Sequence, residues 1–110
     1  MTDRIDALLA MLKRGQDSAL LRFSLGSEFL SRHEYADAAA HLRVAVDLDG
    51  SYSAAWKLLG RALLGQGLRD EARAVYRSGI AVAEARGDKQ AAREMTVFLR
   101  RLEKDQDERQ

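Results

Sequence analysis

The chain contains no cysteine and no proline, and almost no excess of charge of either sign. Without thiols it can form no disulfide, thiolate nucleophile or cysteine-ligated metal site, which fits a reducing compartment. With no proline, 46% hydrophobic and 32% charged residues, the composition suits packed helices better than disorder or a sheet-rich sandwich. Eighteen basic residues against 17 acidic ones leave a net charge of +1, so no strong overall field draws in nucleic acid or an anionic membrane. Uninterrupted apolar runs are also missing: none approaches the roughly 20 residues that a membrane-spanning helix requires. The first apolar stretch, Ala7 to Leu12, follows Asp3 and Asp6 where a secretory signal has a basic start. No export signal is expected, and the expected location is cytoplasmic. At 110 residues the chain is read as one domain.

What the chain does have is an internal repeat. Leu25-Gly26 and Leu59-Gly60 stand 34 residues apart, and each pair is followed twelve residues later by an alanine, Ala38 and Ala72. The second copy fills out as Trp56, Leu59, Gly60 and Leu63, then Ala72 and Tyr76. A fixed period of this length marks stacked helix-turn-helix units, and apolar spacing predicts six helices. Thr2 caps a leader helix carrying Ile5, Leu8, Leu9 and Leu12, which Gly15 ends. Asp17 or Ser18 caps the second, to about Arg32, before a turn at His33-Glu34. The third runs from about Tyr35 to Leu48, and the fourth, capped by Ser51 or Ser53, reaches Gln66. The fifth spans about Leu68 to Arg86. Gly87-Asp88 then stops one helix and starts the sixth, which presents Ala91, Ala92, Met95, Phe98, Leu99 and Leu102. Residues 105–110 form a polar tail expected to fray.

Residues 19–52 and 53–86 resemble two successive tetratricopeptide repeats, with 1–16 as a leader helix and 88–104 as a capping helix. The first copy departs from the family pattern in having Arg22 where the second has Trp56, and the family's proline is replaced by Gly50 and Glu84. The resemblance implies an all-α, right-handed superhelical stack in which Gly26, Gly60, Ala38 and Ala72 let paired helices approach. Phe29, Leu63, Leu42 and Tyr76 then fill the space between them. Truncation of a buried Trp56 would cost about 3 to 5 kcal/mol. The glycine position of the repeat would fall on Glu94 in the last helix, which is why that helix is read as a cap.

The resemblance further implies a non-enzymatic protein-interaction module that needs no cofactor and holds a peptide segment of a partner in a concave groove. The inward positions are Leu20, Phe23, Ser24, Ser27 and Leu30 in the first repeat and Lys57, Leu58, Arg61 and Leu64 in the second. Lys57 and Arg61 share a helix face; either they hold a carboxylate of the bound peptide, with Phe23 and Leu20 offering an apolar pocket, or both are solvated charges with Asp70, Glu71 or no partner nearby. The carboxylate-clamp subset uses asparagines between its basic residues, and this chain has none. Met95 and Phe98 serve as core contacts of the cap or as an extension of the groove.

Other chemistries are weaker on the same residues. His33, Asp37 and His41 are spaced by four, but His33 aligns with the turn glycine Gly67, so Asp37 and His41 are expected to face solvent and no metal site is assigned. Gly65-Gln66-Gly67 lacks the further glycine and lysine of a phosphate-binding loop, and no catalytic constellation assembles. Arg93, Arg100 and Arg101 are interrupted by Glu94 and Glu103, against a nucleic-acid interface. An alternative role is structural, in homodimerisation or complex assembly through the leader or the last helix, the latter offering Phe98, Leu99 and Leu102.

Overall fold

Helix follows helix through residues 3–109, the part of the chain described by the computed structural model, with side chains described for residues 3–108. The elements are α1 (Arg4–Lys13), α2 (Ala19–Ser31), α3 (Tyr35–Leu48), α4 (Ser53–Gly65), α5 (Arg69–Arg86) and α6 (Lys89–Arg109). Each helix packs on its neighbours in sequence, and α4 in addition touches α2 and α6. Such next-neighbour stacking produces an elongated molecule of 48 × 29 × 19 Å. None of the helices among the described residues is long and apolar enough to cross a membrane.

The repeat is written into the packing. Leu25, Leu42, Leu59 and Tyr76 are all fully buried. A Cβ on Gly26 would collide with the side chain of Leu42, and one on Gly60 would collide with the ring of Tyr76. The two glycines therefore set how closely α3 lies on α2 and α5 on α4. The main core runs from Leu30 and Ala38 through Leu63 and Tyr76 to Met95 and Leu102. A smaller cluster of Ile5, Leu21 and Leu25 seats the leader helix.

Helix starts follow the sequence reading in some places and correct it in others. Asp3 caps α1, its carboxylate accepting from the Asp6 amide at 2.9 Å, while Thr2 lies outside the described residues. Ser18 caps α2 by accepting from the Leu21 amide at 3.0 Å. Neither Ser51 nor Ser53 caps α4; its N-cap is Tyr52, which makes no side-chain capping bond. The Ser51 hydroxyl turns back to donate to Asp49 at 2.7 Å. Ser53 is buried in the first turn and donates to Asp88 Oδ2 at 2.7 Å. Asp88 also caps α6 by accepting from the Ala91 amide at 3.1 Å. The Ser53 hydroxyl, followed by that amide, holds the Asp88 carboxyl below the usual carboxylate range.

The departures from the repeat pattern have physical reasons. Arg22, at the place of Trp56, donates to both carboxylate oxygens of Asp17 at 2.9 and 3.1 Å and lies 3.1 Å from His41 Nδ1. His41 stacks on Phe29 with ring centroids 5.5 Å apart, so it is partly buried between helices and does not face solvent as expected. Trp56 is only partly buried and donates its indole N–H to the Gly50 carbonyl at 2.9 Å. The cost of truncating it accordingly falls below the range for a fully buried tryptophan. His33 takes a left-handed φ of 60° in the turn where Gly67 takes 79° in the second repeat. The tail expected to fray from residue 105 is helical to Arg109, and Asp105 pairs with Arg69 on α5 at 2.8 Å.

Candidate binding site

The helical period puts Ser27 and Leu30 on one face of α2 and Leu58, Arg61 and Leu64 on one face of α4. Because α2 and α4 lie side by side, these faces line a common hollow. Its volume is about 560 Å³, and Ser31, the turn residue His33, Tyr35, Gly65 and Phe98 complete the wall. Four helices and one turn contribute.

Five of the nine expected groove residues thus come together: Ser27, Leu30, Leu58, Arg61 and Leu64. The other four do not line the hollow. Leu20 is 65% exposed near the start of α2. Phe23 is stacked on Tyr52 with centroids 4.8 Å apart, and Ser24, the next residue on α2, is partly buried. Lys57 is held by α6: its ammonium lies 2.8 Å from Glu94 Oε2, instead of pairing with Asp70 or Glu71. Gln90 also donates to Glu94, at 3.1 Å. Lys57, followed by Gln90, keeps the Glu94 carboxyl below its usual range.

Arg61, one helical turn from Lys57, is exposed and takes part in none of the ion pairs among the described residues. Beside it lies an unsatisfied group. Tyr76 is fully buried, its ring stacks on Phe98 at 5.7 Å, and its hydroxyl has no hydrogen-bond partner among the described residues. Burial pushes the Tyr76 phenol up to about 12, with the Arg61 charge acting the other way.

Sequence reasoning missed Tyr35, Ser31, His33 and Gly65 as lining residues. A signal was present at Gly65, which stands where the first repeat has Ser31: a Cβ there would collide with the Tyr35 ring, so the extra glycine admits an aromatic wall. Phe98 joins the hollow while also stacking on Tyr76, whereas Met95 is wholly core. Leu102 is 4% exposed, so it is committed to the core and does not continue an open seam from Phe98 and Leu99. Among the described residues no cluster of three metal-capable side chains forms: His33 sits by Tyr35 at the rim, and His41 lies on Phe29.

Leucines and aromatic rings thus wall a hollow between stacked helical hairpins, beside an Arg61 guanidinium that joins no ion pair among the described residues. Residues 29–93, more than half of the chain, match the family model for the tetratricopeptide repeat. The chain belongs to the tetratricopeptide repeat family, whose members are protein-interaction scaffolds. It is 48% identical over 100 residues to TPR repeat-containing protein PA0015 of Pseudomonas aeruginosa, a match spanning 91% of this chain and 95% of that one. The solution structure of protein BPP2914 from Bordetella parapertussis superposes with a TM-score of 0.83 at 47% identity, covering 96% of this chain and 91% of that chain. The crystal structure of MamA gives a TM-score of 0.68 at 21% identity over 96% of this chain and 68% of that chain, a likeness of fold alone.

Proposed function

We propose that this chain is an adaptor whose hollow between α2, α4 and α6 binds a peptide segment of a partner protein. The observation that carries the reading is Arg61, a cation without a carboxylate partner among the described residues, set among Leu30, Leu58, Leu64, Tyr35 and Phe98. Exposed arginine beside aromatic and aliphatic walls is the composition from which interface anchors are drawn. An apolar side chain of the segment fills the hollow, and an acidic or carbonyl oxygen meets the guanidinium.

The test is a pull-down comparing the wild type with Arg61→Glu and Leu58→Glu, after circular dichroism has established equal helicity and melting. A specific protein held by the wild type and lost from both variants supports the reading. A specific client retained by both variants places the binding surface elsewhere and sinks it.

A further inference from the structure

α6 continues the repeat phase and departs from it at the residues that elsewhere receive a second helix. Leu25 and Leu59, both fully buried, correspond to Arg93. Gly26 and Gly60, against which Leu42 and Tyr76 pack, correspond to Glu94. Phe29 and Leu63 correspond to Val97, which is 47% exposed. In both repeats this strip is packed under neighbouring helices; on α6 Arg93 and Val97 stay exposed, and Glu94 reaches Lys57 on α4.

The uncovered strip is neither flat nor neutral. Lys89, Arg93, Thr96, Val97 and Arg100 recur at helical spacing and share one side of α6. A depression of about 400 Å³ runs along it between Ala92, Arg93, Thr96, Val97 and Arg100 on α6 and Glu84 on α5. A second, of about 420 Å³, adjoins it at Lys89 and Gly87. Lys89, Arg93 and Arg100 are all exposed, and none joins an ion pair among the described residues. The nearby carboxylates of α6 are engaged elsewhere, Glu94 with Lys57 and Glu103 with Arg77, which leaves Glu84 as the acid lining the depressions.

We infer that this outer face of α6 is a second docking surface, distinct from the hollow around Arg61, and that its occupant is an acidic amphipathic helix of a partner protein. The helical form follows from the repeat phase: the equivalent strips on α2 and α4 each receive a helix. The acidic character follows from Arg93, which replaces a buried leucine and demands a carboxylate from whatever covers it. Arg93 and Arg100 are two turns apart, about 10 Å along the axis, so carboxylates seven residues apart on the incoming helix meet both. Its apolar residues lie on Val97 and Ala92. A nucleic-acid strand fits less well, because its phosphates satisfy the cations but leave the apolar residues between them uncovered.

The test uses the full chain labelled with nitrogen-15 and a synthetic helix of about 18 residues, or five turns, with leucines on one face flanked by glutamates. A twin peptide carries lysines in place of the glutamates. The inference predicts saturable shifts of the amides of residues 89–100 with the acidic peptide and none with its twin. Binding weakens with salt, and it weakens about tenfold in an Arg93→Glu, Arg100→Glu variant whose circular dichroism is unchanged. Val97→Ser weakens it without altering the salt dependence. The inference is overturned by the absence of saturable shifts, by shifts centred on Arg61, by equal binding of the two peptides, or by a single-stranded DNA oligonucleotide binding the same amides more tightly than the acidic helix. The adaptor reading of the hollow survives each of these outcomes, because it depends on other residues.

Discussion

The ammonium of Lys57 on α4 lies 2.8 Å from the carboxylate of Glu94 on α6, and that contact decides which cation beside the concave hollow is free. Lys57 is engaged in joining two helices, and Arg61 faces the hollow. Lys57→Gln should therefore leave partner affinity within about twofold and cost stability in the range of partly exposed pairs, about 0 to 1 kcal/mol. Arg61→Gln should weaken binding about tenfold, equivalent to ~1.4 kcal/mol, with no loss of stability. Calorimetric titration of each variant with the captured partner, beside its urea midpoint, separates the two residues. Equal losses from both would return Lys57 to the site.

The two close-approach glycines face partners of different stiffness. A methyl group on Gly60 meets the flat, fully buried ring of Tyr76, whereas one on Gly26 meets the branched end of Leu42, which has rotamers to yield. Overpacking of a tight core costs about 1 to 3 kcal/mol, partly offset by up to about 1 kcal/mol from the better helix propensity of alanine. Gly60→Ala should lower the urea-unfolding free energy, and by more than Gly26→Ala does. The reverse order would mean that Tyr76 is not the rigid element of the second repeat.

Tyr76 carries a buried hydroxyl without a hydrogen-bond partner among the described residues. A buried unsatisfied polar group costs about 1 to 3 kcal/mol, and phenylalanine keeps the ring that stacks on Phe98. Tyr76→Phe is expected to raise the melting temperature. A fall in melting temperature would show that the hydroxyl has a hydrogen-bond acceptor in solution.

His41 supplies the pH dependence. Its imidazole is held below the ordinary value of 6.5, first by burial and then by the neighbouring Arg22 guanidinium, with Asp37 and Asp17 opposing. The unfolded chain therefore binds a proton at a pH where the folded chain does not, and stability that is full above 6.5 falls as the pH drops through the window beneath it. The lowered carboxylates Asp3, Asp17, Asp49, Asp88 and Glu94 lose their contribution only in more acid solution, below their ordinary values of 3.8 and 4.5. Urea midpoints at about pH 7.5 and about pH 5.5 should differ in the wild type and converge in His41→Gln. A wild-type midpoint independent of pH in that window would contradict the burial of His41 beside Arg22.

The fold was legible because its determinants are periodic. The spacing of Leu25, Leu59, Gly26 and Gly60 carries the architecture, and the stops at Gly15, Gly67 and Gly87 are local backbone chemistry. Caps were less legible where side chains have tertiary alternatives: Ser53 could have capped α4 but reaches Asp88, 35 residues away. Of the candidate site, the leucines and Arg61 were legible as hollow-lining residues, because they lie on predictable faces of single helices. Tyr35 and Phe98 were not predictable as its walls, because their positions depend on how two hairpins and the last helix stack and on the clearance that Gly65 provides. The fate of Lys57 was hidden for the same reason: its partner is 37 residues away on another helix.

Whether a partner sits in the hollow around Arg61 can be read by site-specific photo-crosslinking. A photoreactive residue is placed at Ser27, inside the hollow, and in a second protein at Leu48, which is 54% exposed and does not line it. Each protein is irradiated with the captured partner and the adduct is mapped by mass spectrometry. A partner seated in the hollow gives an adduct from position 27 that disappears in the Arg61→Glu background, and none from position 48. An adduct from position 48 alone, or one from position 27 that survives Arg61→Glu, would contradict that placement.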